Sequence, residues 1–175
     1  MEAKQSADSV AASLLGRELT ISQIAVVTND LRKTMEQYTK LLGWGPWNVN
    51  RLEPPLLHHT EVRGEAVEYS MLNAEVDVNG MGFELLQPLD GPSIYKEWLE
   101  EHGEGLHHFA VMQHTFEESD DLKKRFGELG ATVLMGGRIA DSIEFYYLDT
   151  QPSLRIILES GSGHAIDLVP EYTYP

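Results

Sequence analysis

An internal repeat constrains the fold of this chain more than any other feature of its sequence. Residues 23–26 and residues 108–111 share one pattern, a short strand whose side chains alternate between two faces. Helix-capping residues follow each strand, with Thr28, Asn29 and Asp30 in the first copy and Thr115 in the second, and an apolar helical spacing then runs to a glycine. The sequence therefore predicts two copies of one structural module.

Three β-like stretches follow each predicted helix. In the first half they lie at residues 44–50, 66–72 and 81–87, and in the second half at residues 132–135, 143–148 and 154–159. Each half thus has the order strand, helix and three strands, which predicts an α+β fold of tandem βαβββ modules. The predicted division is an N-terminal extension at 1–17, a first module at 18–90, a linker with a short helix at 91–104, a second module at 105–160 and a C-terminal tail at 161–175.

Composition argues against several kinds of partner. Hydrophobic residues make up 42% of the chain, which suits a globular protein, and the longest apolar runs are too short to cross a bilayer. The net charge of −15 argues against binding to nucleic acid or to an anionic membrane surface. Cysteine is absent, so any metal must be held by histidine, carboxylate or amide ligands. The N-terminal residues do not resemble a secretory signal, which favours a cytoplasmic location.

Four polar residues interrupt apolar strands at matching places in the two modules. Gln23 and His108 occupy the same position in the first strand, while Glu84 and Glu159 lie in the last strand of each module. A carboxylate buried in such a strand is costly unless a cation, a hydrogen-bond donor or water meets it. Each residue alone has an ordinary explanation, as a solvent-facing polar group or a satisfied core histidine. Their symmetric recurrence favours one shared metal site.

The segments around these residues, at 23–31, 82–88 and 105–111, resemble the vicinal-oxygen-chelate superfamily. That superfamily includes glyoxalase I, methylmalonyl-CoA epimerase, extradiol dioxygenases and bleomycin-resistance proteins. The resemblance covers about residues 19–160 and implies eight paired strands that curl into an open cup around a divalent ion. The metal ligands that it implies are Gln23, Glu84, His108 and Glu159.

Within the superfamily, the epimerase resembles this chain most closely, although it has a histidine at the position of Gln23. The combination of Gln, Glu, His and Glu is also the ligand set of glyoxalase I. Extradiol dioxygenases use two histidines and one carboxylate, so Gln23 counts against that activity. The sequence does not distinguish Ni, Co, Zn, Mn, Mg or Fe as the bound ion.

Four protein ligands leave two neighbouring positions open on an ion that prefers six, and two substrate oxygens would fill them. Such an ion polarises a carbonyl and stabilises an enolate, which predicts epimerisation or isomerisation of a small-molecule substrate. The resemblance implies a catalytic base at Glu68, although a water-facing carboxylate explains Glu68 equally well. Glu159, as a displaced ligand of the glyoxalase I type, is the second candidate base.

Three further features concern the substrate and the connection within the first module. Arg155, four residues before Glu159, is predicted to lie on the same strand face, where it would bind a substrate carboxylate or pair with a neighbouring glutamate. Tyr146, on the preceding strand, is predicted to line the same cup. His58 and His59 fall in a Pro-rich connection, which favours an exposed loop over a second metal site.

The favoured prediction is a metal-dependent isomerase or epimerase that forms a homodimer and acts on a small molecule. Two other classes stay open at this point. One is a glyoxalase-type lyase or ring-cleaving dioxygenase of the same superfamily, and the other is a ligand-binding protein without catalysis. A complete set of metal ligands disfavours the binding protein, because such proteins often lack those ligands. The sequence does not determine the substrate.

Overall fold

The strands and helices follow the predicted order twice along the chain. The computed structural model describes residues 19–113, 115–163 and 168–175, so the predicted extension at 1–17 lies outside the described residues. The strands are β1 (Gln23–Val27), β2 (Trp47–Leu52), β3 (Leu57–Val62), β4 (Glu65–Ala66), β5 (Met71–Val78), β6 (Met81–Pro88), β7 (Gly105–Ala110), β8 (Val133–Ile139), β9 (Ile143–Leu148), β10 (Ile157–Ser162) and β11 (Tyr172–Tyr174). The helices are α1 (Leu31–Leu42), α2 (Ile94–His102), α3 (Phe116–Glu128) and α4 (Gln151–Leu154).

The predicted capping residues begin both long helices. The Asp30 carboxylate accepts a hydrogen bond from the backbone N–H of Lys33 at the start of α1, and the Thr115 hydroxyl accepts one from Glu118 N–H at the start of α3. Gly43 ends α1 in the left-handed conformation, at φ 71°, which glycine adopts at little cost. Among the described residues, no helix is long and apolar enough to span a membrane.

The described strands form one open sheet in which the repeat is visible as a shared register. Its strand order is β11-β2-β5-β6-β1-β7-β10-β9-β8-β3-β4. In the first module β1 pairs in parallel with β6, and Gln23 lies opposite Gly82; in the second, β7 pairs in parallel with β10, and His108 lies opposite Ile157. Gly82 lies two residues before Glu84, and Ile157 lies two residues before Glu159. Antiparallel pairing of β1 with β7 joins the modules, and the predicted α+β fold is confirmed.

Two predicted strands are misplaced. The strand expected at 66–72 begins only at Met71. Tyr69, two residues earlier, is buried, and its hydroxyl donates a hydrogen bond to the carbonyl of Gly136 in β8. This contact keeps the segment before Met71 out of the expected strand. The strand expected at 154–159 begins at Ile157. Residues 151–154 form α4 instead, because Pro152 suits the first turn of a helix.

The Pro-rich connection forms structure that local sequence patterns did not predict. Strand β3 pairs with β8 of the second module, with Leu57 opposite Ile139, and Leu57 is fully buried. This part of the first module therefore extends the far edge of the second. The described end of the tail adds another strand, because β11 pairs with β2. The sheet thus gains β3, β4 and β11 beyond the eight strands that the two modules predict.

The two faces of the sheet have different roles. Helices α1 and α3 each pack on the outer face. Leu31 and Met35 of α1 belong to one apolar cluster there, and Leu122 of α3 belongs to a second one. The inner face holds a separate cluster that includes residues of both modules and of α2. Its members include Ala25, Val27, Leu52, Met71, Leu86, Tyr95, Ile139, Phe145, Tyr147 and Ile157. The candidate metal ligands lie on this inner face.

Candidate metal centre

Three of the four predicted ligands converge at the junction of the two modules. Glu84 on β6, His108 on β7 and Glu159 on β10 are all buried, and one ligand atom from each lies within 4.8 Å of the other two. The Nε2 atom of His108 lies 3.1 Å from Glu159 Oε2 and 3.6 Å from Glu84 Oε2. The residues of the two modules therefore form one cluster.

Two buried atoms of this cluster have no hydrogen-bond partner. They are His108 Nε2, which lies 3.1 Å from Glu159 Oε2, and Glu84 Oε2. A buried polar atom left in this way costs about 1–3 kcal/mol. A cation between one imidazole nitrogen and two carboxylates would satisfy these atoms, and this ligand chemistry suits a divalent ion. The residues present therefore fit a divalent metal.

Gln23 lies at the edge of this cluster. It is half-buried on β1 and lines the same small cavity as Glu84 and Glu159. By strand register it is the counterpart of His108 in the first module. Its position agrees with the predicted fourth ligand, and coordination by its amide oxygen stays a prediction.

Protonation of the metal-free cluster is set by burial and by the two carboxylates. Burial raises the pKa of Glu84 above its ordinary value. Burial alone would lower the pKa of His108, but attraction to Glu159 and Glu84 outweighs burial and raises that pKa to about 9. A metal ion must therefore compete with protons for this cluster at neutral pH.

A second layer of buried rings holds His108 in place. His107 Nδ1 lies 2.8 Å from His108 Nδ1, and the His108 ring packs at 4.9 Å from the Tyr147 ring. Burial lowers the pKa of His107 well below its ordinary value, and the proximity of His108 lowers it further. In the tautomer in which a neutral His107 accepts the Nδ1–H of His108, the His108 Nε2 lone pair is left for a metal. Tyr147 is held in turn by a hydrogen bond of 2.6 Å to the Tyr95 hydroxyl.

Glu75 is a candidate functional residue that the sequence did not reveal. It lies on β5 directly opposite Glu84 and lines the same small cavity. Burial, followed by the nearby carboxylates of Glu84 and Glu159, raises the pKa of Glu75 to about 8. The Asn73 amide nitrogen donates hydrogen bonds to Glu75 at 3.1 Å and to Glu84 at 3.2 Å. With β5 placed correctly, the alternation of polar residues along 73–77 would have indicated that Glu75 lies on a polar face of this strand.

Three predicted site residues lie elsewhere. Glu68 is exposed in the irregular segment 67–70 and does not line the cavities that hold the metal ligands. Arg155 is exposed at the end of α4, with φ 62°, because the strand begins two residues later. Tyr146 faces the outer cluster, and its hydroxyl donates to the Ser119 carbonyl at 2.9 Å. The prediction for Tyr146 is wrong by one residue, since Tyr147 faces the inner cavity.

His58 and His59 lie apart from the metal ligands, on β3. Their Nδ1 atoms are 2.6 Å apart, and His58 Nε2 lies 2.8 Å from the Ala140 carbonyl oxygen. Neither residue belongs to the converging group of Glu84, His108 and Glu159. The exposed loop predicted for this pair is wrong, because the segment is a strand.

Two adjacent cavities lie beside the candidate metal centre. The inner cavity, of about 40 Å³, is lined by Glu84, Glu159 and residues of the inner core. The outer cavity, of about 450 Å³, falls in the size range of small-molecule sites. Gln23, Glu75 and Met112 line both cavities and so lie at the boundary between them.

Comparison with known proteins shows the family. A sequence profile of the Glyoxalase/Bleomycin resistance protein/Dioxygenase superfamily matches residues 22–147. The chain therefore belongs to this superfamily, as its resemblance to vicinal-oxygen-chelate proteins predicted. No curated protein sequence matches it significantly.

Solved structures share the fold at low sequence identity. A hypothetical protein from Bacillus halodurans C-125 is similar with a TM-score of 0.59 and 16% identity, over 83% of this chain and 94% of the other. Methylmalonyl-CoA epimerase from Mycobacterium tuberculosis gives 0.51 and 15%, over 83% and 89%. A methylmalonyl-CoA epimerase in complex with methylmalonyl-CoA and ammonium gives 0.52 and 23%, over 85% and 98%. These similarities show the fold and leave the activity to be argued from the site.

Proposed function

We propose that this chain is a metal-dependent epimerase or isomerase that removes and returns a proton next to a carbonyl group of a small substrate. The observation that carries this proposal is the position of Glu75. It lies beside three converging buried ligands and lines both the inner and the outer cavity. A carboxylate in that position can exchange a proton with a substrate whose oxygens face the ligands.

The metal would be held by Gln23, Glu84, His108 and Glu159. When bound, a divalent ion polarises a carbonyl oxygen and offsets the negative charge that develops on it. His107 fixes the tautomer of His108, and Asn73 holds Glu75 and Glu84 in fixed positions by donating to both. These contacts position the ligand set and the base without help from the substrate.

Glu75 replaces Glu68 as the proposed base. Its carboxylate accepts the proton from carbon, and its half-buried position on the lining of both cavities leaves it open to a substrate. Return of the proton to a neighbouring atom gives isomerisation, whereas epimerisation requires that a second donor deliver a proton to the opposite face of the enolate. Glu159 is less suited to this task, because it lies 3.1 Å from His108 within the ligand cluster.

Other members of the superfamily supply the alternatives. The methylmalonyl-CoA epimerases of similar fold support epimerase chemistry. The ligand set also agrees with a glyoxalase-type lyase, which likewise exchanges a proton beside a carbonyl. A ring-cleaving dioxygenase is disfavoured by Gln23, and a non-catalytic binding protein by the half-buried carboxylate of Glu75 beside three converging ligands. The predicted homodimer and cytoplasmic location stay predictions, and sedimentation analysis would test the first.

Exchange of a substrate proton with solvent tests the proposal. Zn²⁺-loaded protein is incubated in D₂O with hydroxyacetone or dihydroxyacetone, and loss of the C–H signal is followed by NMR. Substitution of Glu75→Gln is expected to lower the exchange rate by about 10²- to 10⁴-fold without changing the metal content. Glu68→Gln is the matched control and is expected to exchange at the unmodified rate. Equal rates for Glu75→Gln and the unmodified protein would contradict the assignment of the base.

A further inference from the structure

The outer cavity is lined by acidic and uncharged polar side chains. Its charged lining residues in the described part of the chain are Glu75 and Asp77, and its other polar side chains are Ser22, Gln23 and Asn48. Lysine and arginine do not line it within residues 19–113, 115–163 and 168–175. Among these residues, the polar groups that a ligand in this cavity would meet are carboxyl, amide and hydroxyl groups.

The inner cavity offers a hydrogen-bond acceptor without a partner. Asn73 is 1% exposed, and its amide nitrogen donates to Glu75 and Glu84. This use of the nitrogen fixes the orientation of the amide, so Oδ1 remains as an acceptor, and it has no hydrogen-bond partner. A buried acceptor of this kind requires a donor, such as a hydroxyl or ammonium group.

Several cationic side chains elsewhere are already paired. Arg51 lies 3.5 Å from Glu53, and Arg63 contacts Glu97 through two hydrogen bonds of 2.7 Å. Lys123 pairs with Glu144 on the outer face of the sheet. None of these three cations lines either cavity. An anionic tail in the outer cavity would therefore lie near carboxylates, and these cations would not offset its charge.

We propose that the cavity selects uncharged or cationic carbonyl compounds that carry hydroxyl or ammonium donors, and that it disfavours anionic substrates such as phosphates, dicarboxylates and coenzyme A esters. This inference rests on the proposed function, since it concerns the substrate of the same site. It separates this chain from the methylmalonyl-CoA epimerases of similar fold. Those proteins act on a substrate with several negative charges, whereas this cavity presents acceptors and negative charge.

Three chelators with the same metal-binding head test this selectivity. They are 3-aminopropanohydroxamate, butanohydroxamate and succinate monohydroxamate, whose tails end in an ammonium, a methyl and a carboxylate group. Binding to Co²⁺-loaded protein is measured by the visible absorption of cobalt, at about 0.15 M salt, where charges more than about 8 Å apart are largely screened. Ultrafiltration and metal analysis check that cobalt stays on the protein.

The expected order of affinity is ammonium, then methyl, then carboxylate, with about tenfold between the two charged tails. Asp77→Asn should narrow that tenfold difference between the two charged tails by about two- to fivefold. Glu65→Gln removes the same charge from an exposed position outside both cavities and should leave the order intact.

Two results would overturn this inference alone. One is equal or tighter binding of the carboxylate tail, and the other is the same change in selectivity for Asp77→Asn and Glu65→Gln, which would reflect net charge rather than the cavity. Failure of all three hydroxamates to bind the cobalt-loaded protein would contradict the substrate chelation of the proposed function, and the inference would fail with it.

Discussion

At equivalent positions the two modules carry different side chains. Strand register equates Gln23 with His108, and it equates Glu75, opposite Glu84, with Tyr147, opposite Glu159. The residues that directly precede Gln23 and His108 in the chain also differ in their surroundings. Ser22 lines the outer cavity, whereas His107 is fully buried beneath His108.

This difference divides the site into two halves. The second module surrounds His108 with Tyr147 and His107, which exclude water and fix the imidazole. The first module contributes Gln23 and Glu75, which line both the inner and the outer cavity. A duplicated module can therefore keep one carboxylate ligand in each copy while one copy anchors the metal and the other faces the substrate.

The largest expected effect separates the anchoring half from the open half. His108→Ala removes the buried imidazole and leaves two carboxylates without their central partner, so metal affinity should fall by more than about 100-fold. Gln23→Ala removes a neutral amide at the rim and should weaken binding by about tenfold. Competition with a fluorescent chelator measures both affinities. Similar losses from the two substitutions would show that the modules contribute equally.

The metal-free protein should lose stability as the pH rises. Folding raises the pKa of His108 from 6.5 to about 9 and that of Glu75 from 4.5 to about 8. The folded protein therefore binds more protons than the unfolded chain over this range. The His108 contribution is fully present below about pH 6.5 and is lost as the pH passes about 9, with a change on the order of 3 kcal/mol.

Urea unfolding of the metal-free protein at pH 6.5 and pH 9 measures this change. The midpoint should be lower at pH 9, and a His108→Gln variant should show a smaller dependence on pH. Bound metal should reduce the dependence as well, because metal replaces the proton on His108. A midpoint that rises with pH would show that the carboxylates near His108 do not stabilise its charged form.

A smaller loss of metal affinity is expected when His107, whose ring packs against that of His108, is substituted. His107→Ala removes the acceptor for His108 Nδ1–H and opens a gap beside Tyr95, so metal affinity should fall by about 10-fold, within the range seen for such supporting residues. His58→Ala, on the edge hairpin, serves as the control for loss of a histidine and should leave metal affinity unchanged. A loss for His107→Ala as large as that for His108→Ala would indicate the wrong strand register.

The sequence predicted the parts of this account that depend on the repeat. Gln23, Glu84, His108 and Glu159 could be proposed as ligands because strand positions recur in both copies, and a shared register then brings His108 to the two glutamates. The helical spacing of apolar residues and the capping residues before them also predicted both long helices. Such features depend on short-range patterns that a single sequence displays.

The residues that the sequence misplaced depend on long-range contacts. Burial of Tyr69 across the sheet shifts the start of β5, which hid Glu75 and led to Glu68. The prediction chose Tyr146 where the structure has Tyr147 facing the inner cavity. Neighbouring residues of a strand point to opposite faces of the sheet, so an error of one residue selects the wrong face. The pairing of β3 with the other module has no local signal at all.

Metal loading shows whether both modules together hold one divalent ion at Glu84, His108 and Glu159. Purified protein is dialysed separately against Ni²⁺, Co²⁺, Mn²⁺ and Zn²⁺, and bound metal is measured by elemental analysis beside His108→Ala. The account predicts about one ion per chain for at least one of these metals, and loss of that ion in the variant. Failure to load any of the four, or equal loading of the variant, would contradict it.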